Sequence, residues 1–316
     1  MLAILDGSFL LHRALHVPAH RVMRTAAGRC SGGVFGFLRS LSFAIRDVRA
    51  SRAICVWDGG RSSRRMQIYP EYKQRSPPPA VDSFDHAAEY AAARSALEPV
   101  LPRLGVRSLR MAGREGDDVI GRVCRSFSKW RPAEFMVVVS DDRDMGQLVT
   151  EWCAVYRPRA DEWVTAETQM ARTGVAGCQE HLLRAAILGD PSDNIGGVRG
   201  VGEVRVGQLL HAGRKLMRKG RLTLPDAVRQ AAADFKLLGW ARAVLRDWSI
   251  VERNLLLMDL RQEKFSREEK ARIGALVRQP TYAMTRQEVA PFLREYELGS
   301  LLSGFDAWFA AFRTLV

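Results

Sequence analysis

The sequence predicts an α/β fold built on a mostly parallel central sheet. Short, β-rich apolar runs recur at residues 2–5, 52–57, 106–111 and 135–139, and helix-patterned segments separate them. Acids and a glycine-bearing turn follow each run, the punctuation of strands that present ligand-binding groups at their carboxyl ends. With 316 residues and 47% hydrophobic content, the chain can bury one large core or two smaller ones.

The first run ends at Asp6-Gly7-Ser8. Residues 31–48 place Val34, Phe37, Leu38, Leu41 and Ile45 at helical spacing and predict an amphipathic helix. The second run ends at Asp58, with Gly59 and Gly60 behind it. From residue 61 to 79 the texture changes: Arg61, Arg64, Arg65, Lys73 and Arg75 crowd around Tyr69 and Tyr72 before three prolines. Poor periodicity and one-sided charge predict an exposed, mobile segment. It reads equally as a solvated loop or as a single-strand channel, where tyrosines stack and arginines neutralise phosphate.

Residues 83–104 return to helix, and after the third run Glu115, Asp117 and Asp118 open another. Acids in a first turn suit the helix dipole, but three in four residues exceed what capping needs. The fourth run leads into Asp142 and Asp144, with Asp141 as a turn residue. A strand at 152–156, a short hairpin arm at 162–165 and a helix at 181–188 then deliver Asp190 and Asp193. Residues 189–202 read as a polar, glycine-rich turn between two helices, and the remainder as helical and basic, closing on an apolar segment at 305–312.

The net charge of +13 and pI near 10.1 call for a polyanionic partner, either nucleic acid or an acidic membrane surface. No apolar run approaches the roughly 18 residues of a membrane span, and the first apolar block is too short for a signal peptide. Cys30, Cys55, Cys124, Cys153 and Cys178 are scattered and odd in number, which predicts reduced thiols in a cytoplasmic protein.

In a parallel sheet the acids at the strand ends converge on one edge. Asp6, Asp58, Glu115, Asp117, Asp118, Asp142, Asp144, Asp190 and Asp193 cannot share a small volume uncompensated, because like charges raise one another's pKa. Divalent cations resolve this, and an all-oxygen donor set selects Mg²⁺ or Mn²⁺. On a strongly basic chain that points to phosphodiester hydrolysis with two ions. Gly200 and Gly202, in the stretch V-R-G-V-G, leave bare backbone N–H groups for a phosphate.

The blocks I-L-D-G-S-F-L-L-H-R-A, V-W-D-G-G-R-S-S-R-R, Y-P-E-Y-K-Q-R, G-R-E-G-D-D-V-I-G, S-D-D-R-D-M-G-Q-L and L-G-D-P-S-D-N-I-G-G-V-R-G-V-G stand in one order along residues 2 to about 260. With them the chain resembles the 5′–3′ exonuclease and flap endonuclease family, which includes bacteriophage 5′ nucleases and the 5′-nuclease domain of bacterial DNA polymerase I. The resemblance implies a PIN-like core over residues 1–188 with a flexible arch at about 61–100. It further implies a helix–three-turn–helix DNA-binding region at 189–265, and a helical extension follows at 266–316. It assigns the nine acids as ligands of two Mg²⁺ or Mn²⁺ ions and Lys73, Arg65 and Tyr72 as arch residues at the catalytic centre. At the hairpin, Val198, Arg199, Gly200, Val201 and Gly202 would hold a K⁺ against a DNA phosphate. Two departures stand out. Ser76 occupies the place of a family arginine, with Arg75 one residue early, and Val204 replaces a lysine, leaving Arg205 for that phosphate contact.

The expected function is therefore a structure-specific 5′ nuclease on DNA, with RNA-primer removal as a family extension. Its expected partners are duplex DNA bearing a 5′ end or flap and a single strand passing through the arch. A cytoplasmic monomer, in a bacterial cell or a phage-infected host, completes the expectation. A catalytically weak junction-binding paralogue would lack some acids, and a PIN-type ribonuclease would lack the glycine hairpin and the basic helical half.

Overall fold

A computed structural model describes residues 1–74, 84–220, 222–280, 282 and 285–315. Arg75, Ser76 and the three prolines lie outside these described residues. The centre is a six-stranded sheet of β1 (Leu2–Asp6), β2 (Arg52–Trp57), β3 (Val106–Arg110), β4 (Met136–Val139), β5 (Cys153–Arg157) and β6 (Glu162–Val164), in the order β3-β2-β1-β4-β5-β6. All pairs are parallel except β5 with β6. Because the order reverses between β1 and β4, these neighbours form the switch point at which open α/β sheets bind ligands.

Strand β1 is buried throughout, as its unbroken apolar run predicts for a strand covered on both faces. Ala3 and Leu5 face one core with Ala53, Cys55, Val137 and Val139. Leu2 and Ile4 face the other with Ile54, Val56, Met136 and Val138. The first face is covered by α1 (Gly7–His16) and α3 (Gly32–Asp47), with the short α2 (Pro18–Arg21) packed against those two helices. Trp57 is fully buried there, stacks on Phe37 at 5.3 Å and donates its indole N–H to Ser108 Oγ at 3.0 Å.

Helix α4 (Ser63–Ile68) follows β2, and α5 (His86–Leu97) joins the first face. Helix α6 (Gly116–Trp130) covers the second face, with Val119, Ile120, Val123 and Phe127 inward. Beyond the sheet lie α7 (Ala166–Thr173), α8 (Cys178–Leu188) and a two-stranded hairpin of β7 (Gly189–Asp190) and β8 (Ile195–Gly196). This hairpin replaces the plain interhelical turn expected there.

The basic half is helical: α9 (Glu203–Lys219), α10 (Leu224–Asp234), α11 (Gly239–Arg246) and α12 (Trp248–Met258), around a third core that includes Val206, Leu210, Val228 and Val251. Helix α9 runs unbroken through Gly213, which packs directly on Val228.

The C-terminal extension divides its contacts. Helix α13 (Arg267–Arg278) buries Ile273 and Val277 in the second core against α6. Helices α14 (Arg286–Glu295), α15 (Gly299–Ser303) and α16 (Phe305–Phe309) close the first core, with Trp308 donating to the Leu38 carbonyl and accepting on its own carbonyl from Ser42 Oγ. It completes both faces of the sheet.

Candidate active site

The acids gather at the carboxyl edge of the sheet, and backbone geometry aims most of them. Asp6 closes β1 and caps α1, accepting the Phe9 N–H at 2.9 Å and the Ser140 hydroxyl at 2.9 Å. Asp58 follows β2 and accepts the Gly116 N–H at 2.6 Å, so its carboxylate meets the positive end of α6. A Cβ on Gly116 would come within 3.0 Å of that oxygen. Asp142 accepts from the Asp144 N–H at 2.7 Å, and Asp190 from the Ser192 N–H at 2.8 Å. Asp141 turns aside to the Arg159 backbone, as expected of a turn residue.

Their electrostatics tie them together. Burial, with Asp58 and Asp142 adding to it, pushes Asp6 up to about 7. Burial first, and then Asp142 among their neighbours, lifts Asp117 and Asp144 well above the carboxylate range. Asp142 and Asp193 rise as burial is reinforced by Asp190. Glu115 goes the other way: burial raises it, but Lys73 and Arg65 together hold it below its ordinary value. Among the described residues, no three His, Cys, Asp or Glu side chains are placed to hold a metal ion directly. The fit rests instead on the donor chemistry: an oxygen-only set in which the raised pKa values of Asp6, Asp117 and Asp144 mark negative charge short of counter-ions.

The base of the expected arch corrects one expectation. Residues 61–74 are not a loose basic loop, since Arg65 and Tyr72 are each only 3% exposed. Arg65 donates through both terminal nitrogens to the two oxygens of Asp118, at 2.5 and 2.8 Å, and through Nε to the Leu257 carbonyl. Asp118 is fully buried, and both of its oxygens are engaged by that guanidinium. Tyr72 packs with Leu182, Ile195, Leu257 and Met258, while its hydroxyl donates to Glu115 at 2.7 Å and Asp193 at 3.2 Å. Lys73 Nζ lies 2.8 Å from Glu115 and 3.4 Å from Asp193, on a backbone of φ +52°. Opposite charges 40 to 120 residues distant override the local pattern.

At the glycine hairpin Val198 and Val201 point into the third core, while Arg199, Gly200, Gly202 and Arg205 are exposed. Gly200 takes φ +80°, whereas Gly202 is extended at φ −107°. A Cβ on either would meet nothing within 4 Å, so the surface above them is open. Helix α9 starts at Glu203 without a side-chain cap. Because the Arg205 and Val206 N–H groups bond the Gly202 carbonyl, the groups left for a ligand in its first turn are those of Glu203 and Val204. Arg205 donates to the Gly200 carbonyl.

Several supporting residues escaped the sequence reading. Glu263 accepts from Ser62 Oγ and Arg64 Nε and pairs with Arg114, tying the segment after α12 to the arch base. Nothing local in the sequence marks it. His12, stacked on Tyr90 at 4.3 Å and His86 at 5.2 Å, had a signal in its four-residue spacing from His16. Tyr90 in turn donates to Ser8, which accepts the Asp58 N–H.

A parallel α/β sheet with an acid-lined edge, a cation held over it and a glycine hairpin beside it defines a nuclease. The chain belongs to the 5′–3′ exonuclease family: the profile of its N-terminal resolvase-like domain matches residues 1–177. It is 34% identical over 211 residues to a 5′–3′ exonuclease of Bacillus subtilis, covering 64% of this chain and 67% of that one. A 5′–3′ exonuclease of Aquifex aeolicus is 32% identical over 202 residues, covering 64% and 65%. The DNA polymerase I of Mycobacterium bovis is 32% identical over 207 residues, 64% of this chain but 22% of the polymerase. In fold, the chain is similar to the bacteriophage T5 flap endonuclease solved as a pseudo-enzyme–product complex with DNA and metal ions. That match has a TM-score of 0.62 at 17% identity, over 94% of this chain and 98% of that one. No described helix is long and apolar enough to cross a membrane.

Proposed function

We propose that this chain is a divalent-metal-dependent 5′ nuclease that cuts DNA at 5′ ends and flaps. The observation that carries the reading is the electrostatic crowding of Asp6, Asp117, Asp142, Asp144 and Asp193 beside one lysine. Two Mg²⁺ or Mn²⁺ ions held by Asp6, Asp58, Glu115, Asp117, Asp142, Asp144, Asp190 and Asp193 would supply water activation and leaving-group stabilisation. Asp118 is assigned to positioning, because Arg65 takes both its oxygens. Arg65 and Tyr72 in turn fix the arch base against Glu115, so that Lys73 overhangs the edge where phosphate charge builds up. The hairpin 198–202 grips a duplex phosphate through bare N–H groups, with K⁺ as a helper and Arg205 beside it.

The division at 188/189 and 265/266 is carried into this proposal as one of roles: chemistry, grip and closure of the core. A 5′-labelled flap duplex incubated with Mg²⁺, and separately with EDTA, tests the reading. Short 5′ products with Mg²⁺ alone support it. Labelled 3′-end trimming, or cutting that survives EDTA, overturns it.

A further inference from the structure

A second charged site lies beside the acid edge. Between the β5–β6 hairpin, α7 and α8 is a cavity of about 290 Å³. Four guanidiniums line it, each from a different element: Arg143 after β4, Arg157 on β5, Arg172 on α7 and Arg184 on α8. Two carboxylates answer them. Glu162 pairs with Arg172 and lies 3.7 Å from Arg157, and Glu203 pairs with Arg184 at 2.8 Å. Arg143 has no ion-pair partner among the described residues, so the lining carries a surplus of two positive charges.

Two buried polar atoms in the wall lack a partner: the Nε donor of Arg157 and the Oε1 acceptor of Gln169. Gln169 is 4% exposed, and its amide orientation is fixed. Its Nε2 donates to His181 Nδ1 at 2.7 Å, because His181 Nε2 donates to the Arg143 carbonyl. Burial and the neighbouring arginines keep His181 neutral, down at about 4, so it adds no charge. Burial, then Arg172 and Arg143, pull Arg157 below the usual guanidinium range, a strain that an anion would relieve. Buried unpaired polar atoms are few in folded proteins and call for an explanation.

We propose that this pocket binds the phosphate group of a nucleotide. Planar guanidinium forks match phosphate oxygens, and the orphaned Gln169 oxygen suits a sugar hydroxyl or a base N–H on the same ligand. The phosphate comes either from the backbone of a bound strand or from a mononucleotide released by exonucleolytic cutting. Only this choice of source rests on the nuclease reading.

The test is calorimetry in EDTA, with inorganic phosphate, 5′-dAMP, deoxyadenosine, the dinucleoside phosphate TpT and a hexa-aspartate peptide as probes. The expected result is binding of 5′-dAMP and not of deoxyadenosine, weakened at least 10-fold in Arg157→Gln and in Arg172→Gln. Glu162→Gln, which removes the competing carboxylate, should tighten it. TpT binding as tight as that of 5′-dAMP assigns the pocket to a strand, and preference for the monoester assigns it to the product. Inorganic phosphate competing with 5′-dAMP supports the phosphate as the recognised group. The proposal is overturned if no phosphate probe binds, if the peptide binds as well as 5′-dAMP, or if folded Glu162→Gln and Arg172→Gln bind like wild type. Flap cleavage with Mg²⁺ on the same preparation reports the nuclease reading separately.

Discussion

The acid edge and the glycine hairpin solve opposite problems. At the edge, carboxylates crowd together, and backbone N–H groups, Lys73 and Arg65 hold them against their repulsion. At the hairpin Val198 and Val201 are turned into the core, and the open backbone at Gly200 and Gly202 shares the surface with exposed Arg199 and Arg205. The first place stores negative charge awaiting counter-ions, and the second offers oriented backbone dipoles flanked by two exposed arginines. Chemistry and grip should therefore fail separately.

The largest effect is expected at the edge. Asp117→Asn should lower single-turnover cleavage by about 10³-fold, or about 4 kcal/mol of transition-state stabilisation, while the protein stays folded and binds flap DNA. Near-normal turnover at limiting Mg²⁺ would remove Asp117 from the metal set.

Arg65→Gln separates support from chemistry. It leaves Asp118 buried and unpaired, which costs about 3–5 kcal/mol, seen as a lower urea midpoint. A neutral effect on stability would mean that the pair is dispensable to the arch base.

Lys73→Ala should slow cleavage on the order of 10²-fold with little change in binding, because the remaining cations dominate nonspecific attraction. Arg75→Ala, made alongside, decides between the two basic residues. A normal rate for the lysine variant and a collapsed rate for the arginine variant would transfer the role.

Gly200→Val should weaken duplex binding about 10-fold, since a branched side chain opposes φ +80° and covers the phosphate approach. Gly202→Val should do less through strain, because its backbone is already extended. Equal losses on a short single strand and on a duplex-borne flap would argue against a separate grip.

The smallest effect is a pH slope. Asp6, held at about 7 against an ordinary 3.8, keeps a proton in the folded state that the unfolded chain releases. Stability in EDTA should thus fall as pH rises from about 4 through 7, and Asp6→Asn should flatten that fall by a few degrees of Tm. A wild-type Tm that rises across this window would reverse the assignment.

Much of the edge was legible in the sequence because buried parallel strands need unbroken apolar runs, and the acids behind them have few other reasons to recur. The burial of Arg65 and Tyr72 was not. Their local sequence is basic and proline-flanked, while their partners Asp118, Glu115 and Leu257 lie 53, 43 and 192 residues away. The two-residue strands β7 and β8 are too short to carry a period, so only turn residues were visible there. The extension's apolar residues signalled burial, but nothing in them said that α13 and α14 would take opposite faces of the sheet.

The most direct measurement is flap-duplex binding in Ca²⁺ and single-turnover cleavage at saturating enzyme in Mg²⁺, on wild type, Asp117→Asn and Gly200→Val. Separate sites predict that Asp117→Asn binds normally and does not cut, while Gly200→Val binds weakly and cuts near the wild-type rate once saturated. Parallel loss of binding and cutting in both variants would contradict the account.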